Sequence, residues 1–297
     1  MSSQLLWQLL VNGLSIGAVY VVVVFGMQVI VRVAGVVNFA HGQFYAIGAY
    51  AFWFTFVFVG INLGMSIILA LLIVFIFSAI AYRLLFHYVA KKFDPSTPLS
   101  ARFMLSAMAS IGLMMVLARI IILNFGTDVK SIPPLLPQIL MIGDIRLPAE
   151  RLAVILLGVL LALGLYLFFY KTKLGMTMRA VSTDPLASLL VGVDSDRISL
   201  FSFAFGCMLA GAGGMIVAPI FALTPEMGTE TLFMAFIVLL VGGISSYKGS
   251  VGGGLIVGLA QSFGYHYIGI VSNLVIFILV MLLLNFRPGG FFGKPYD

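Results

Sequence analysis

Charge is what this sequence has least of. Asp, Glu, Lys and Arg make up 9% of its 297 residues, against 62% hydrophobic, whereas a soluble domain carries about a quarter charged residues. Residues 1–82 hold one charged side chain, Arg32. A chain this poor in charge cannot cover itself in water, so a soluble monomer is excluded and an integral membrane protein is expected. The one cysteine, Cys207, lies in an apolar run. That excludes an intrachain disulfide and predicts a small buried residue. The first residues, MSSQLLWQLLVNG, lack the basic start of a secretory signal, so the first apolar segment is expected to stay as a membrane helix. No low-complexity tract or long polar linker breaks the chain, which reads as a single membrane domain over 1–297.

Catalytic patterns are missing as well. The sequence has no His-Glu-x-x-His zinc pair, no G-x-S-x-G nucleophile elbow and no Gly-rich phosphate loop ending in Lys-Ser/Thr. Its three histidines, 41, 87 and 266, fall in separate segments without ligand spacing, so no metal site is expected. His87 reads as an interface residue near an inner loop, and His266 as part of an aromatic belt. Carboxylates in the apolar segments are few, which disfavours a proton-coupled pump and a channel with a charged ring. Energy for active transport would have to come from elsewhere. The net charge of +6 is spread over short loops, a membrane-orientation pattern that points to no nucleic-acid partner.

Long apolar runs are what the sequence does have. A membrane helix needs about 20 mostly apolar residues, and candidates fall at 5–31, 38–58, 64–88, 103–124, 150–170, 198–219, 231–247, 250–267 and 270–286. The expected fold is all-α and polytopic, with about 8–10 transmembrane helices. At least one is broken or short, because Gly242 and Gly243 sit inside 231–247. Lys and Arg concentrate around 83–102, around 171–197 and in the tail, so these are expected to be cytoplasmic. That leaves the N-terminus and the Pro-rich, mixed-charge stretch 125–149 outside, the C-terminus inside, and Arg32 snorkelling at an inner helix end. The small-residue spacings of GLSIGA (13–18), GAGG (211–214) and GGG (252–254) predict close helix packing, because lipid supplies little hydrophobic force between helices.

Three polar stretches stand out. In VRVAGVVNFAHGQFYAIGAY (31–50), Asn38 is placed to cap a helix and Gly42 to let it bend. Asn38 and His41 would share a helix face and satisfy backbone groups at a discontinuity near a pathway. In KTKLGMTMRAVSTDPLASLLVGVDSDRI (171–198), Asp184 can cap a short helix, Pro185 suits its first turn, Ala187–Val191 can continue it and Gly192 stops it. Leu186, Leu189 and Leu190 give that helix one apolar side, fit to lie on lipid or to enter a partner's groove. In APIFALTPEMGTE (218–230), Pro219 and Pro225 break regular structure, and Thr224, Glu226, Thr229 and Glu230 make a polar outer corner. It reads as a solvated loop or as a vestibule and docking surface.

Three motifs in order resemble a known family. NGLSIGAVYVVVVFGMQVIVRVAGVVNFAHGQFYAIGAY (12–50), the basic loop with RAV (179–181), DP (184–185), Ala187 and GV (192–193), and VLLVGGISSYKGSVGGGLIVGLAQSFG (238–264) are similar to permease subunits of branched-chain amino acid ABC transporters. The resemblance covers essentially the whole chain. It implies a non-enzymatic inner-membrane subunit that pairs with a related or identical permease. It further implies two ATP-binding cassette subunits below, holding the ATP, and a periplasmic substrate-binding protein above. The chain itself would need no cofactor. The loop would be the coupling segment, with Arg179, Asp184, Pro185, Ala187, Leu190 and Gly192 toward the ATPase. Asn38, His41, Gln43, Thr224 and Glu226 are the candidate pathway residues. Where the family commonly reads NFAHGE, this chain has Gln43, an amide in place of a carboxylate; the wider family also serves amides, urea, short peptides and other carboxylates. Alternating access driven by ATP is the mechanism implied. The competing readings are a stand-alone secondary transporter or facilitative channel, and an intramembrane enzyme using His41, which has no second ionisable group at useful spacing.

Overall fold

A computed structural model describes residues 3–92, 99–142, 145–244, 246–287 and 289–291. Twelve helices are described: α1 Ser3–Val29, α2 His41–Trp53, α3 Leu63–Ala81, α4 His87–Lys92, α5 Leu99–Phe125, α6 Ala149–Lys171, α7 Lys173–Thr183, α8 Pro185–Leu190, α9 Ser195–Val217, α10 Met227–Gly242, α11 Tyr247–Ile268 and α12 Ser272–Phe286. Wider π-type turns, Ile30–Ala34, Phe54–Phe58 and Tyr82–Phe86, extend α1, α2 and α3. Each of the nine apolar segments read from the sequence falls on a helix. By length and composition, six runs among the described residues suffice to cross a membrane, the last being Tyr247–Phe286, which contains the corner at Gly269. α10, at 16 residues, is shorter, and Gly243 ends it with φ 85, so the glycine pair does break the 231–247 segment.

Two elements escaped the sequence reading. A small antiparallel hairpin, β1 Ile139–Ile142 with β2 Ile145–Pro148, pairs Ile139 with Pro148 and Ile142 with Ile145. The β-branched and long apolar residues that favour a strand were hidden in a stretch marked by its prolines. α7 was missed because it is amphipathic but little hydrophobic and lies inside the basic loop: it is capped by Thr172, which accepts from Gly175 N–H at 3.1 Å, and it buries only Gly175, Met178 and Val181. Asp144, Lys294 and the 93–98 stretch of the basic loop lie outside the described residues.

Burial sorts the helices into a centre and a ring. The most apolar window of α1 is 83% buried and that of α9 is 72%, against 22% in α3, α5 and α6. α2 and α10 are mostly buried as well, so α1, α2, α9 and α10 form the interior, and α3, α5 and α6 turn apolar side chains outward, as lipid permits. The interior closes through glycines placed opposite one another. A methyl group added to Gly48 would overlap Gly211 of α9, one on Gly42 would overlap the Gly228 carbonyl of α10, and one on Gly26 would overlap the Gly206 carbonyl. GLSIGA meets the GGG stretch as Gly17–Gly254 and the next turn of α11 as Gly13–Gly258. Backbones in direct contact give the van der Waals packing that lipid cannot replace.

The long helices alternate between two ends of the bundle. At one end Arg83 and His87 meet Asp196, at 3.4 and 2.8 Å. There too Arg32 lies over the Tyr247 ring, and the N–H of Phe291 reaches the carbonyl of Val241. Gln28 of α1 donates to the carbonyls of Gly243 and Ser246, at 3.3 and 3.2 Å, and so holds the turn between α10 and α11. At the opposite end Lys130 and Leu223 exchange backbone hydrogen bonds of 3.1 and 2.8 Å, Lys130 sits over Trp53, and Glu150 accepts from Leu135 N–H at 2.7 Å. The N-terminus of α1 and the C-terminus of α12 therefore lie at opposite ends, as the charge pattern requires.

Candidate functional site

Between α1 and α2, residues 35–40 are not helical, and they turn back into the bundle from the basic end. Backbone inside a membrane must find partners. Here the N–H of Val37 donates to Ser106 Oγ at 3.1 Å and that of Phe39 to Ser110 Oγ at 2.9 Å, both on α5. Asn38 Oδ1 takes the N–H of Ala40 at 3.0 Å. Asn38 thus satisfies a freed backbone group, but three residues ahead of α2, whose flanking residue Ala40 has no side-chain cap. Its amide also donates to Cys207 Sγ at 3.5 Å.

His41 does something else. It is fully buried, and Nε2 lies 3.0 Å from the Val23 carbonyl. A carbonyl only accepts, so the ring proton sits on Nε2 and Nδ1 is left as a buried acceptor without a partner among the described residues. The histidine braces α2 against α1 beside Gly26, on the side turned from α10. It is not brought together with Gln43.

Gln43 faces α10. Its Nε2 donates to Thr229 Oγ1 at 3.2 Å, while Oε1 is buried and accepts nothing among the described residues. Along α2, Gln43, Ile47 and Tyr50 follow one another at helical spacing and form a stripe, with Phe39 just ahead of the helix at one end of it. Phe39 packs on Phe236 of α10 at 5.1 Å between ring centroids, and Tyr50 on Phe125 of α5 at 5.1 Å. The Tyr50 hydroxyl, also buried, has no hydrogen-bond partner among the described residues. α10 begins at Met227, four residues earlier than the sequence reading placed it. Thr229 and Glu230 are therefore in its first turns, not in the corner. Thr224 is half-buried in the corner, and Glu226 and Glu230 are exposed, as is Phe233 further along α10. Carboxylates are costly against lipid, so the start of α10, flanked by Glu226 and carrying Glu230, looks onto water or protein. Tyr50 of α2 and Thr229 and Glu230 of α10 complete the polar set. Only the pairing of α2 with α10 reveals it.

The second site is the loop at the basic end. Asp184 Oδ1 accepts from Leu186 and Ala187 N–H, both at 2.9 Å, and Pro185 occupies the first turn of α8. Gly192 ends it with φ 83, its N–H bonded to Leu189 at 3.0 Å. Cap, proline and stop all fall where the sequence placed them. Ser188 is the buried contact of α8, while Leu186, Leu190 and Val191 are 61, 90 and 78% exposed. Arg179, on α7, points elsewhere: its guanidinium lies 4.8 Å from the Tyr170 ring.

Residues 9–284 match the family described as branched-chain amino acid transport system / permease component. The chain is similar to the high-affinity branched-chain amino acid transport system permease protein BraD of Pseudomonas aeruginosa, 27% identical over 97% of this chain and 96% of that one. It is also similar to the corresponding permease protein LivH of Escherichia coli strain K12, 26% identical over 99% and 98%, and in part to a probable permease of Methanocaldococcus jannaschii, 30% identical over 44% and 45%. No solved structure matches the chain. With the polytopic helical fold, the Gly-packed interior and this match over nearly its whole length, the chain belongs to the branched-chain amino acid transport system permease family.

Proposed function

We propose that this chain is the membrane-spanning permease subunit of an ATP-driven importer of the inner membrane, carrying a small polar solute of the branched-chain amino acid or amide class. The observation that carries the reading is α8: a capped helix at the basic end, outside the membrane-spanning helices, with its leucines in solvent. Such a helix is built to enter a groove. Its partners are two ATP-binding cassette subunits, which bind and hydrolyse the ATP, with a second permease subunit, related or identical, alongside. A periplasmic substrate-binding protein faces the opposite end. The excess of Lys and Arg makes the α8 end cytoplasmic, which puts the N-terminus in the periplasm and the C-terminus in the cytoplasm. The whole chain acts as one membrane domain, with 171–198 as its coupling loop. Asp184, Pro185 and Gly192 shape α8, Ala187 and Leu190 touch the ATPase, and Arg179 anchors α7 behind it.

The pathway runs along the α2–α10 stripe, closed on its open side by the second permease. Thr224 and Glu226 form its outer mouth, Gln43 its midpoint, and Asn38 and His41 hold the backbone that shapes it. A buried acceptor without a partner costs about 1–3 kcal/mol, a cost that a passing ammonium or amide N–H would relieve at Gln43. Gln43→Met keeps the size of the side chain and removes the amide. In the complete transporter it should leave the amount of folded protein unchanged and lower uptake roughly tenfold, the equivalent of about 1.4 kcal/mol. Unchanged uptake would make Gln43 a packing residue and move the pathway off this stripe.

A further inference from the structure

We propose that a cavity at the basic end, between α1, α6, α7 and α11, is a binding site for one anionic phospholipid. Its volume is about 650 Å³, and three cations line it: Arg32, Arg179 and Lys248. No Asp or Glu is among its described lining residues. At the same end of the bundle, Asp196 is engaged by Arg83 and His87, and Asp194 by Arg197. Two of the cations are pre-positioned on aromatic rings. Arg32 stands 5.2 Å from the centroid of Tyr247 and Arg179 stands 4.8 Å from that of Tyr170. Arg179 Nε is buried and has no hydrogen-bond partner among the described residues. A guanidinium N–H in that position is a donor awaiting an acceptor. Lys248 is in the first turn of α11, where the positive end of a 22-residue helix adds to the field.

The rest of the wall decides which anion fits. Below the cations the cavity is apolar, and on the α6 side Val159 and Leu163 are exposed on a membrane-spanning helix. The space therefore opens sideways onto acyl chains. A free phosphate would use only the rim, whereas a phospholipid uses both rim and wall. Basic pockets between membrane helices on the cytoplasmic side take anionic headgroups for this reason. Bound there, the lipid would tie α7, and with it the coupling loop, to α1 and α11. The leaflet assignment rests on the orientation proposed above; the binding itself does not.

The test is native mass spectrometry of the full-length chain, purified with its partner subunits and released from micelles after incubation with phosphatidylglycerol or phosphatidylethanolamine. One phosphatidylglycerol per chain should be retained, at least tenfold over phosphatidylethanolamine, and millimolar inorganic phosphate should not displace it. Arg32→Gln with Lys248→Gln should lose the adduct about tenfold, while Arg287→Gln, an exposed cation that does not line the cavity, should keep it. Equal retention of the two lipids would overturn the proposal, and that comparison needs no variant. Undiminished retention by the double variant would overturn it too. So would displacement by phosphate, which would make the site one for a free anion.

Discussion

Leu190→Glu should release the ATPase subunits while leaving the membrane domain folded. Leu190 is 90% exposed, so the substitution disturbs nothing inside the chain, and exposed changes usually stay within about 0.5 kcal/mol. The loss falls on the interface. An apolar anchor seated in a groove contributes about 2–4 kcal/mol to binding, and a carboxylate in the same place adds the cost of desolvating a charge. Capture of the ATPases by the tagged permease should drop by roughly 30-fold or more, and ATP-dependent uptake with it. Ala187→Arg should act in the same direction, since Ala187 is exposed on the same short helix. Gly192 is a poorer probe: its φ of 83 strains any side chain, so a defect there mixes folding with docking. Normal capture by both variants would remove α8 from the ATPase interface.

Gly42→Leu should prevent assembly of the interior altogether. A side chain at residue 42 meets the backbone of Gly228, which no rotamer change can move aside. Overpacking a core costs about 1–3 kcal/mol when side chains can yield, and here α2 and α10 would have to separate, opening the stripe that holds Gln43 and Thr229. Folded yield in detergent and melting temperature should both fall, and uptake should be lost. Gly164→Ala on α6 is the matched control, because nothing lies within 4 Å of an added methyl there; it should be neutral or mildly stabilising, since alanine is the better helix former. A normally folded Gly42→Leu variant would mean that α2 and α10 do not touch as described.

Much of this was legible in the sequence because membrane helices are written in composition. The nine apolar segments, the break at Gly242–Gly243 and the caps of α8 follow from local rules that act over a few residues. The small-residue stretches predicted close packing but not which helices would meet, since Gly26 and Gly206 are partners only through the fold. His41 shows the same limit. Its spacing to Asn38 suggested a shared face, yet residues 38–40 are not helical, so the two side chains diverge, one to Cys207 and one to Val23. Glu230 was visible as a polar residue of the outer corner. Its place on an exposed helix face opposite α2 depends on where α10 starts, and no side-chain cap marks that start.

The central claim is that this chain moves solute only as part of an ATP-driven assembly. Uptake into proteoliposomes measures it most directly, with the purified chain reconstituted alone and then with its ATPases, second permease and substrate-binding protein. The account predicts accumulation against a gradient in the complete assembly with ATP, and background flux from the chain alone at any gradient. Substantial gradient-driven flux through the isolated chain, unaffected by ATP or by the partners, would contradict it and make the chain a facilitator in its own right.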